Sequence, residues 1–250
     1  MLKLTDVCKT FNPGTINART ALDHYNLTLE EGDFVTVIGG NGAGKSTALN
    51  AVAGAFPIDS GKIEIDGINV SNMPAFKRAK YLGRVFQDPM MGTAPDMQIE
   101  ENLAIAEMRG KKHGLNWAVT NDKRERYYEI LKPLGLGLEE RMSAKVGLLS
   151  GGQRQALTLL MATLSKPKLL LLDEHTAALD PKTAAVVLEL SDRIVEQNHL
   201  TTMMVTHNMR DALAHGNRLI MMKEGKIVLD VRGEEKKKLT QADLLEYFDV

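Results

Sequence analysis

The segment that decides the fold is GGNGAGKST, at residues 39–47. It fits the pattern G-x-x-x-x-G-K-[ST], in which Lys45 and Ser46 complete the match. The apolar residues 34–38 before it predict a strand, and the residues after it predict a helix that ends near Gly54. A strand, a glycine-rich loop and a helix in this order form the structural context in which the pattern binds phosphate.

The chemistry of this loop points to a nucleotide. Glycines let consecutive backbone N–H groups face one concave side, where they attract an anion. The N-terminus of the following helix adds about half a positive charge. Lys45 then reaches the β and γ phosphates, and the Ser46 hydroxyl is able to bind Mg²⁺. The segment therefore predicts a site for a nucleoside triphosphate with magnesium.

A second segment, LLLLDE at residues 169–174, places two acids after an apolar run. Four leucines predict a buried central strand, and the ligands of open α/β sheets lie beyond the carboxyl ends of such strands. Asp173 falls where it can hold Mg²⁺, directly or through water, and Glu174 where it can polarise a water molecule toward the γ phosphate. An apolar strand that ends in Asp-Glu is common, so this prediction depends on the phosphate loop.

A third segment, LSGGQRQ at residues 149–155, predicts another helix start that can bind an anion. Ser150 is a capping residue, the two glycines after it allow a close approach, and an apolar helix is predicted over residues 156–164. A nucleotide carries only one triphosphate. We therefore expect this second start to contact the nucleotide held by another copy of the chain, and a plain helix cap is the alternative.

With these three segments, nearly the whole chain resembles the nucleotide-binding subunit of an ATP-binding cassette (ABC) transporter. Residues 39–47 look like the Walker A loop of that family, residues 169–174 like its Walker B strand, and residues 149–155 like its signature motif. The signature motif is the most diagnostic element of the three.

The resemblance assigns roles to four further positions. Gln87, in VFQDP, matches the Q-loop glutamine that contacts Mg²⁺ or water and links the two lobes. Residues 178–180 match the D-loop at the dimer seam, and His207 matches the switch histidine that contacts the γ phosphate. Phe11 falls where the family places an aromatic residue that stacks on adenine. A histidine or glutamine alone would more often be structural, and Phe11 alone would more often be a core or edge residue.

The site that the resemblance implies has three groups of residues. The catalytic residues are Glu174, His207, Gln87 and Lys45. The residues that bind ATP are Phe11, Gly39, Asn41, Gly42, Ala43, Gly44, Lys45, Ser46, Thr47, Ser150, Gly151, Gly152, Gln153 and Asp180. The residues that hold Mg²⁺ are Ser46, Gln87 and Asp173.

Two features depart from the family pattern. His175 follows the glutamate where the family more often has a small residue or proline, and it is either a neutral spectator or a group that alters the pH response of the site. The loop at residues 12–20 is longer than in the simplest members, which makes the position of Phe11 less certain.

The alternation of apolar strands and helices predicts a parallel sheet covered on both faces, with an inserted helical block. The resemblance makes this an α/β fold of the P-loop NTPase class: a RecA-like parallel core sheet, an antiparallel β subdomain and an inserted α-helical subdomain. We expect one ATP-binding cassette domain over residues 1–250. Within it, residues 1–87 and 166–250 form the catalytic core with the antiparallel subdomain, and residues 88–165 form the helical subdomain with the signature motif.

Composition narrows the function classes. The 250 residues carry 31 Lys and Arg against 32 Asp and Glu, a formal net charge of −1, which argues against a general nucleic-acid binder. The single cysteine, Cys8, cannot form a disulfide within the chain, which favours a reducing compartment. The N-terminal residues lack a secretory pattern, and no apolar run approaches the roughly 20 residues that span a bilayer. We expect a soluble, intracellular chain.

The leading hypothesis is an ATPase that powers transport. The resemblance implies a head-to-tail dimer of two identical copies, bound peripherally at the cytoplasmic face of the membrane to an integral permease. It also implies that a substrate-binding protein acts with that permease, and that the transported solute is a small molecule such as an amino acid, moved by import. Soluble cassette ATPases that act on DNA or ribosomes are the alternative, but they generally carry coiled-coil insertions or two cassettes. A P-loop GTPase would need an N-K-x-D element, which this sequence lacks.

Overall fold

A computed structural model describes residues 1–111, 114 and 117–249. The predicted ranges 88–165 and 1–250 also include residues 112, 113, 115, 116 and 250, which lie outside the described residues. The strands are β1 (Leu2–Phe11), β2 (Arg19–Leu29), β3 (Phe34–Gly39), β4 (Ser60–Ile65), β5 (Ile68–Asn69), β6 (Leu82–Val85), β7 (Leu169–Asp173), β8 (Thr201–Val205), β9 (Arg218–Lys223) and β10 (Lys226–Arg232). The helices are α1 (Lys45–Ala53), α2 (Ala75–Arg78), α3 (Ile99–Glu107), α4 (Asn121–Leu131), α5 (Gly151–Thr163), α6 (Pro181–Asn198), α7 (Met209–Ala214), α8 (Glu234–Lys238) and α9 (Gln241–Asp249).

The core of the fold is a six-stranded sheet in the order β10-β9-β3-β8-β7-β6. Its strands run parallel except β10, which pairs antiparallel with β9. Every residue of β3 and β8 is buried, as the continuous apolar runs of a sheet covered on both faces require. The predicted parallel core is confirmed.

A second, antiparallel sheet joins four strands in the order β2-β1-β4-β5. The turn between β4 and β5 is Asp66-Gly67, with φ of 54° and 76°, and positive φ at both central residues is the geometry of a type I′ hairpin turn. The Asp-Gly dipeptide indicates a hairpin in a sequence, and β4 and β5 pair antiparallel on either side of it. In the first hairpin, β1 extends to Phe11 and β2 begins at Arg19, so the loop between them is residues 12–18 and not the predicted 12–20.

The middle of the chain is helical, as predicted. Apolar residues recur at helical spacing at positions 127, 130, 131 and 134, but α4 ends at Leu131 and Leu134 lies in a following 3₁₀ turn. Pro133 explains this end, since it has no N–H with which to continue the α-helical hydrogen bonds. The assignment of residues 88–165 to a separate subdomain stays a prediction.

The charged run at residues 234–238 has a composition that favours a solvated face or turn. It forms helix α8, and four of its five side chains are exposed, but Lys236 is buried. The Lys236 ammonium donates to the backbone carbonyls of His215 and Gly216. Burial lowers the pKa of Lys236 to about 8.

Candidate nucleotide site

Several polar side chains follow neighbouring strands of the six-stranded sheet at the points where those strands end. Lys45 begins the helix after β3, Asp173 is the last residue of β7, and His207 stands two residues beyond β8. Gln87 stands two residues beyond β6. Because the carboxyl ends of parallel strands meet at one edge of a sheet, the topology brings these predicted residues to the same edge.

The phosphate loop has the backbone geometry that its glycines allow. Gly44 has φ of 101° and precedes α1 with no side-chain cap, and a Cβ at that position would lie 2.3 Å from the Ala21 carbonyl oxygen. The Lys45 ammonium lies across the loop and donates to the carbonyls of Gly39, at 2.8 Å, and Gly40, at 3.1 Å. Burial lowers the pKa of Lys45, and the Glu174 carboxylate opposes that shift.

The carboxylate of Asp173 is held from one side by an arginine. Nη2 of Arg84, on the neighbouring strand β6, lies 3.0 Å from Oδ2 of Asp173 and donates to Oδ1 of Asn50 at 2.7 Å. Burial raises the pKa of Asp173, and the Arg84 guanidinium opposes that shift. Arg84 thus ties the acid to both the edge strand and helix α1.

Glu174 and His207 face each other at this edge. Oε2 of Glu174 lies 3.5 Å from Nδ1 of His207, whose side chain is 62% exposed against 22% for the glutamate. The backbone N–H of Glu174 donates to the Val205 carbonyl at 2.9 Å, and its φ of 44° turns the chain out of the strand. Both side chains line one cleft of about 480 Å³ between helix α6 and the segment after β8.

His175 lies away from this cleft. Its ring is buried, and Nε2 lies 3.0 Å from the Ser191 hydroxyl of helix α6. Burial lowers the pKa of His175 to about 4, so the ring is neutral near neutral pH. This environment agrees with the spectator interpretation of the sequence.

Phe11 lies beside the phosphate loop. It lines a cleft of about 190 Å³ together with Gly44, Ser46 and Thr47. Its ring packs edge-on against Phe56, with 5.3 Å between the ring centroids. The loop at residues 12–18 therefore leaves Phe11 in the neighbourhood of α1.

The signature segment forms a helix start that caps itself. The Ser150 side chain accepts from the Gln153 N–H at 3.3 Å, and the Ser150 N–H donates to the Gln153 side chain at 3.1 Å. Gly152 is packed so closely that a Cβ there would lie 2.1 Å from Cγ2 of Thr183. Asp180 caps helix α6 by accepting from the Thr183 N–H at 3.1 Å.

The described structure does not bring every predicted residue into one cleft. The phosphate loop lines two clefts, the one beside Phe11 and a second of about 350 Å³. Gly42 and Ala43 line both clefts, and Asn41 lines the second. Neither is lined by any of residues 150–153. Gln87 and Asp180 are exposed.

The donor set suits Mg²⁺. This ion prefers hydroxyl, carboxylate and amide oxygens, which Ser46, Asp173 and Gln87 offer at the same edge of the sheet. Arg84 engages Oδ2 of Asp173. The residues present therefore fit the ion.

Two arginines near the site, Arg84 and Arg19, are absent from the set predicted from the sequence. Arg84 had a signal in the sequence, because a cation inside the short strand LGRV needs a buried partner. Arg19 had none, since it stands in a polar segment, yet its Nη2 donates to the Gly42 carbonyl at 2.7 Å.

Within the described residues, every helix is too short or too polar to cross a membrane.

Comparison with known proteins identifies the fold and the family. The family model described as "ABC transporter" matches residues 22–177. The structure is similar to an ATP-binding cassette solved as a dimer in a post-hydrolysis state with ADP and Pi, with a TM-score of 0.79 and 30% identity over 93% of this chain and 98% of that chain. It is also similar to another cassette solved in its ADP conformation, with a TM-score of 0.80 and 26% identity over 100% and 98% of the two chains.

Three curated relatives are transport proteins. A tyrosine transport ATP-binding protein of Clostridioides difficile is 44% identical over 100% of this chain and 99% of its own length. The methionine import ATP-binding protein MetN 2 of Listeria monocytogenes is 34% identical over 96% of this chain and 70% of its own. The spermidine/putrescine import ATP-binding protein PotA of Haemophilus influenzae is 35% identical over 92% of this chain, which spans only 57% of that relative.

Proposed function

We propose a mechanism for this chain, which belongs to the ABC transporter family and is an ATPase subunit of importer-type transporters. Two copies of the chain would bind two MgATP molecules between them in a head-to-tail dimer. Each nucleotide would lie between the phosphate loop of one copy and residues 150–153 of the other. The two copies would close on each other when ATP binds and separate after hydrolysis. This cycle would drive a small solute through a membrane permease.

One observation carries the dimer proposal. The clefts lined by the phosphate loop contain no residue of the signature segment, while that segment begins a helix with Ser150 and Gly151 exposed. A helix N-terminus attracts anions, so the exposed start is suited to a phosphate that belongs to another copy. The similar cassette that was solved as a dimer with ADP and Pi supports this arrangement.

Glu174 is suited to act on the attacking water. Its carboxylate stands at the strand end beside His207, and the two side chains line one cleft. We assign to Glu174 the polarisation of a water molecule toward the γ phosphate, and to His207 a contact with that phosphate. Lys45 would hold the β and γ phosphates, because its ammonium already lies over the concave side of the loop.

Ser46, Asp173 and Gln87 would hold Mg²⁺, which when bound neutralises charge on the β and γ phosphate oxygens. Arg84 positions the Asp173 carboxylate for this task from the side of β6. The Q-loop glutamine follows that strand, so a displacement of β6 would move Gln87 and Asp173 together.

The permease would meet the subunit next to the Q-loop. An apolar groove of about 590 Å³ lies there, and Phe86, Met91 and Ile105 line it together with Arg84. Met91 is 69% exposed, although it is an apolar side chain. Because Arg84 lines the groove and also bonds Asp173, a segment of the permease in this groove would act directly on the edge strand of the site.

We propose an amino acid as the solute, with tyrosine as the first candidate. The support is the name of the relative that is 44% identical along nearly its whole length. A substrate-binding protein would deliver the solute, and the subunit would work at the cytoplasmic face of the membrane. Cells that lack the subunit should lose uptake of labelled tyrosine, and co-purification with ribosomes in place of a membrane protein would favour the soluble alternative.

The test of the mechanism is Glu174→Gln. The variant keeps the shape of the side chain but loses the charge that polarises water, so it should bind MgATP, form a stable dimer in size-exclusion chromatography and hydrolyse ATP at least about a hundredfold more slowly. Glu196→Gln, on the exposed surface of α6, is the matched control and should behave as the unchanged protein. Ordinary turnover in Glu174→Gln would refute the role, and a monomer that retains ATP would refute the dimer.

A further inference from the structure

We propose that Arg19 is a nucleotide-binding residue whose guanidinium contacts the phosphate nearest the base. The proposal rests on the assigned ATP site and adds a cation to it that neither the glycine-rich loop nor the other motifs contain.

The register of the first hairpin places Arg19 beside Phe11. Phe11 and Arg19 are direct partners in the antiparallel pair of β1 and β2, on its last rung before the loop. Directly opposed residues of such a pair project to the same face, with their Cα atoms about 4.5–5.5 Å apart. The pairing therefore fixes an arginine beside the aromatic residue, whatever the length of the loop at residues 12–18.

The side chains of Phe11 and Arg19 share one cleft with the phosphate loop. Phe11 and Arg19 line the same cleft as Gly44, Lys45 and Ser46. An aromatic side chain on one wall and a phosphate loop on the other define where a base and its phosphates would lie. Arg19 lines the same cleft as both of these walls.

The Arg19 guanidinium has N–H donors left for a phosphate. Arg19 is exposed, and Nη2 donates to the Gly42 carbonyl at 2.7 Å. Within residues 1–111, 114 and 117–249 no carboxylate lies within ion-pair distance of it. A guanidinium has five N–H donors in a planar fork, so one bond to a neutral carbonyl leaves donors for a phosphate.

Because Gly42 has no side chain, it leaves the space that the Arg19 guanidinium occupies. Its φ is 79°, and a Cβ at that position would lie 1.6 Å from Nη2 of Arg19. The guanidinium therefore rests on the loop itself, at the position of a glycine that the phosphate-binding pattern does not require. A phosphate held by the neighbouring N–H groups would lie within reach of the fork.

The experiment measures the binding of ATP, ADP, AMP and adenosine by calorimetry, without magnesium, to the unchanged protein and to Arg19→Gln. Loss of one charge-assisted hydrogen bond should weaken ATP, ADP and AMP by a similar factor of about ten and leave adenosine unchanged. Arg19→Lys keeps the charge but loses the planar fork of donors. Its nucleotide affinities should therefore lie between those of the unchanged protein and those of Arg19→Gln. The matched control is Arg193→Gln, since Arg193 is an exposed arginine whose Nη2 also donates to one backbone carbonyl, that of Pro133, at 2.9 Å.

The outcomes separate this inference from the function on which it rests. If the unchanged protein binds no ATP, the proposed function fails together with the inference. If it binds ATP normally and Arg19→Gln binds all three nucleotides as tightly, only the inference is overturned. An equal loss for adenosine would also overturn it, because Arg19 would then act on the base or on the shape of the loop and not on a phosphate.

Discussion

Two helices of this protein begin with glycine-rich segments, and they differ in what occupies their first turn. Helix α1 starts at Gly44, has no side-chain cap, and has the buried ammonium of Lys45 lying over its loop. Helix α5 starts at Ser150, which forms a capping box with Gln153, and its first residues are exposed or packed against α6. The N-terminus of α1 leaves its backbone N–H groups to a ligand. At the N-terminus of α5, one backbone N–H group is already bonded to the Ser150 side chain.

This difference indicates that the N-termini of α1 and α5 play different parts in nucleotide binding. A start with a lysine, a nest of N–H groups and no cap is equipped to hold phosphate within one chain. The start of α5 caps itself, and its nearby arginine, Arg154, already donates to the backbone carbonyls of residues 146, 147 and 149. It is therefore a weaker anion site and is suited to a phosphate that is already held elsewhere. The predictions below test whether the two starts are unequal in this way.

The largest effect is expected for Lys45→Ala. Loss of a charge-assisted bond to phosphate costs about 1.5–3 kcal/mol, so the ATP affinity of the isolated protomer should fall between about tenfold and a hundredfold. Calorimetric titration of the unchanged protein and the variant measures it, with Lys3→Ala, an exposed lysine on β1, as the control. An unchanged affinity would show that the first start is not a phosphate cradle.

A smaller effect is expected for Gly152→Ala. The new Cβ would lie 2.1 Å from Cγ2 of Thr183, and overpacking at such a contact costs about 1–2 kcal/mol of the free energy of unfolding. The double variant with Thr183→Ser removes that methyl group and keeps the hydroxyl and the N–H that bonds Asp180, so it should recover most of the loss. Thermal unfolding followed by circular dichroism measures both. A failure of the rescue would mean that the glycine is needed for another reason than this packing.

The sequence predicts most of what lies along a single stretch of chain. The phosphate loop, the buried strand of four leucines and the Asp66-Gly67 hairpin turn follow from local pattern, because glycine conformation, strand burial and turn chemistry are local properties. The order of the motifs then indicates which strand ends share an edge. The ends of helices and strands are harder to predict, as the loop after β1 and the end of α4 show.

Contacts between distant segments could not be predicted in the same way. The bonds of Arg84 to Asp173 and of Arg19 to Gly42 join residues 89 and 23 positions apart, and only the assembled sheets bring them together. The buried Lys236 belongs here too, because its partners lie about twenty residues earlier, on the turn before β9. A cation in a sequence indicates that a partner is needed but not which one.

The smallest effect, and the one that bears most closely on the comparison, is expected for Ser150. Ser150→Ala removes the side chain that accepts from the Gln153 N–H, which should lower the free energy of unfolding by about 1 kcal/mol, the usual loss for an N-cap serine. The ATP affinity of the isolated protomer should not change, because residues 150–153 line neither cleft of the phosphate loop. Chemical denaturation and calorimetric titration measure the two quantities.

Ser150→Asn is the control that separates capping from contact with the partner's nucleotide. Asparagine caps a helix as well as serine does, so this variant should keep the stability that Ser150→Ala loses. It has no hydroxyl and is larger, so in the Glu174→Gln background both variants should weaken the MgATP-dependent dimer. If Ser150→Asn dimerised as the parent does, Ser150 would be a cap alone, and the second helix start would not contact phosphate through this side chain. If instead either change lowered the ATP affinity of the protomer, both starts would serve the same nucleotide within one chain, and the division of work between them would be wrong.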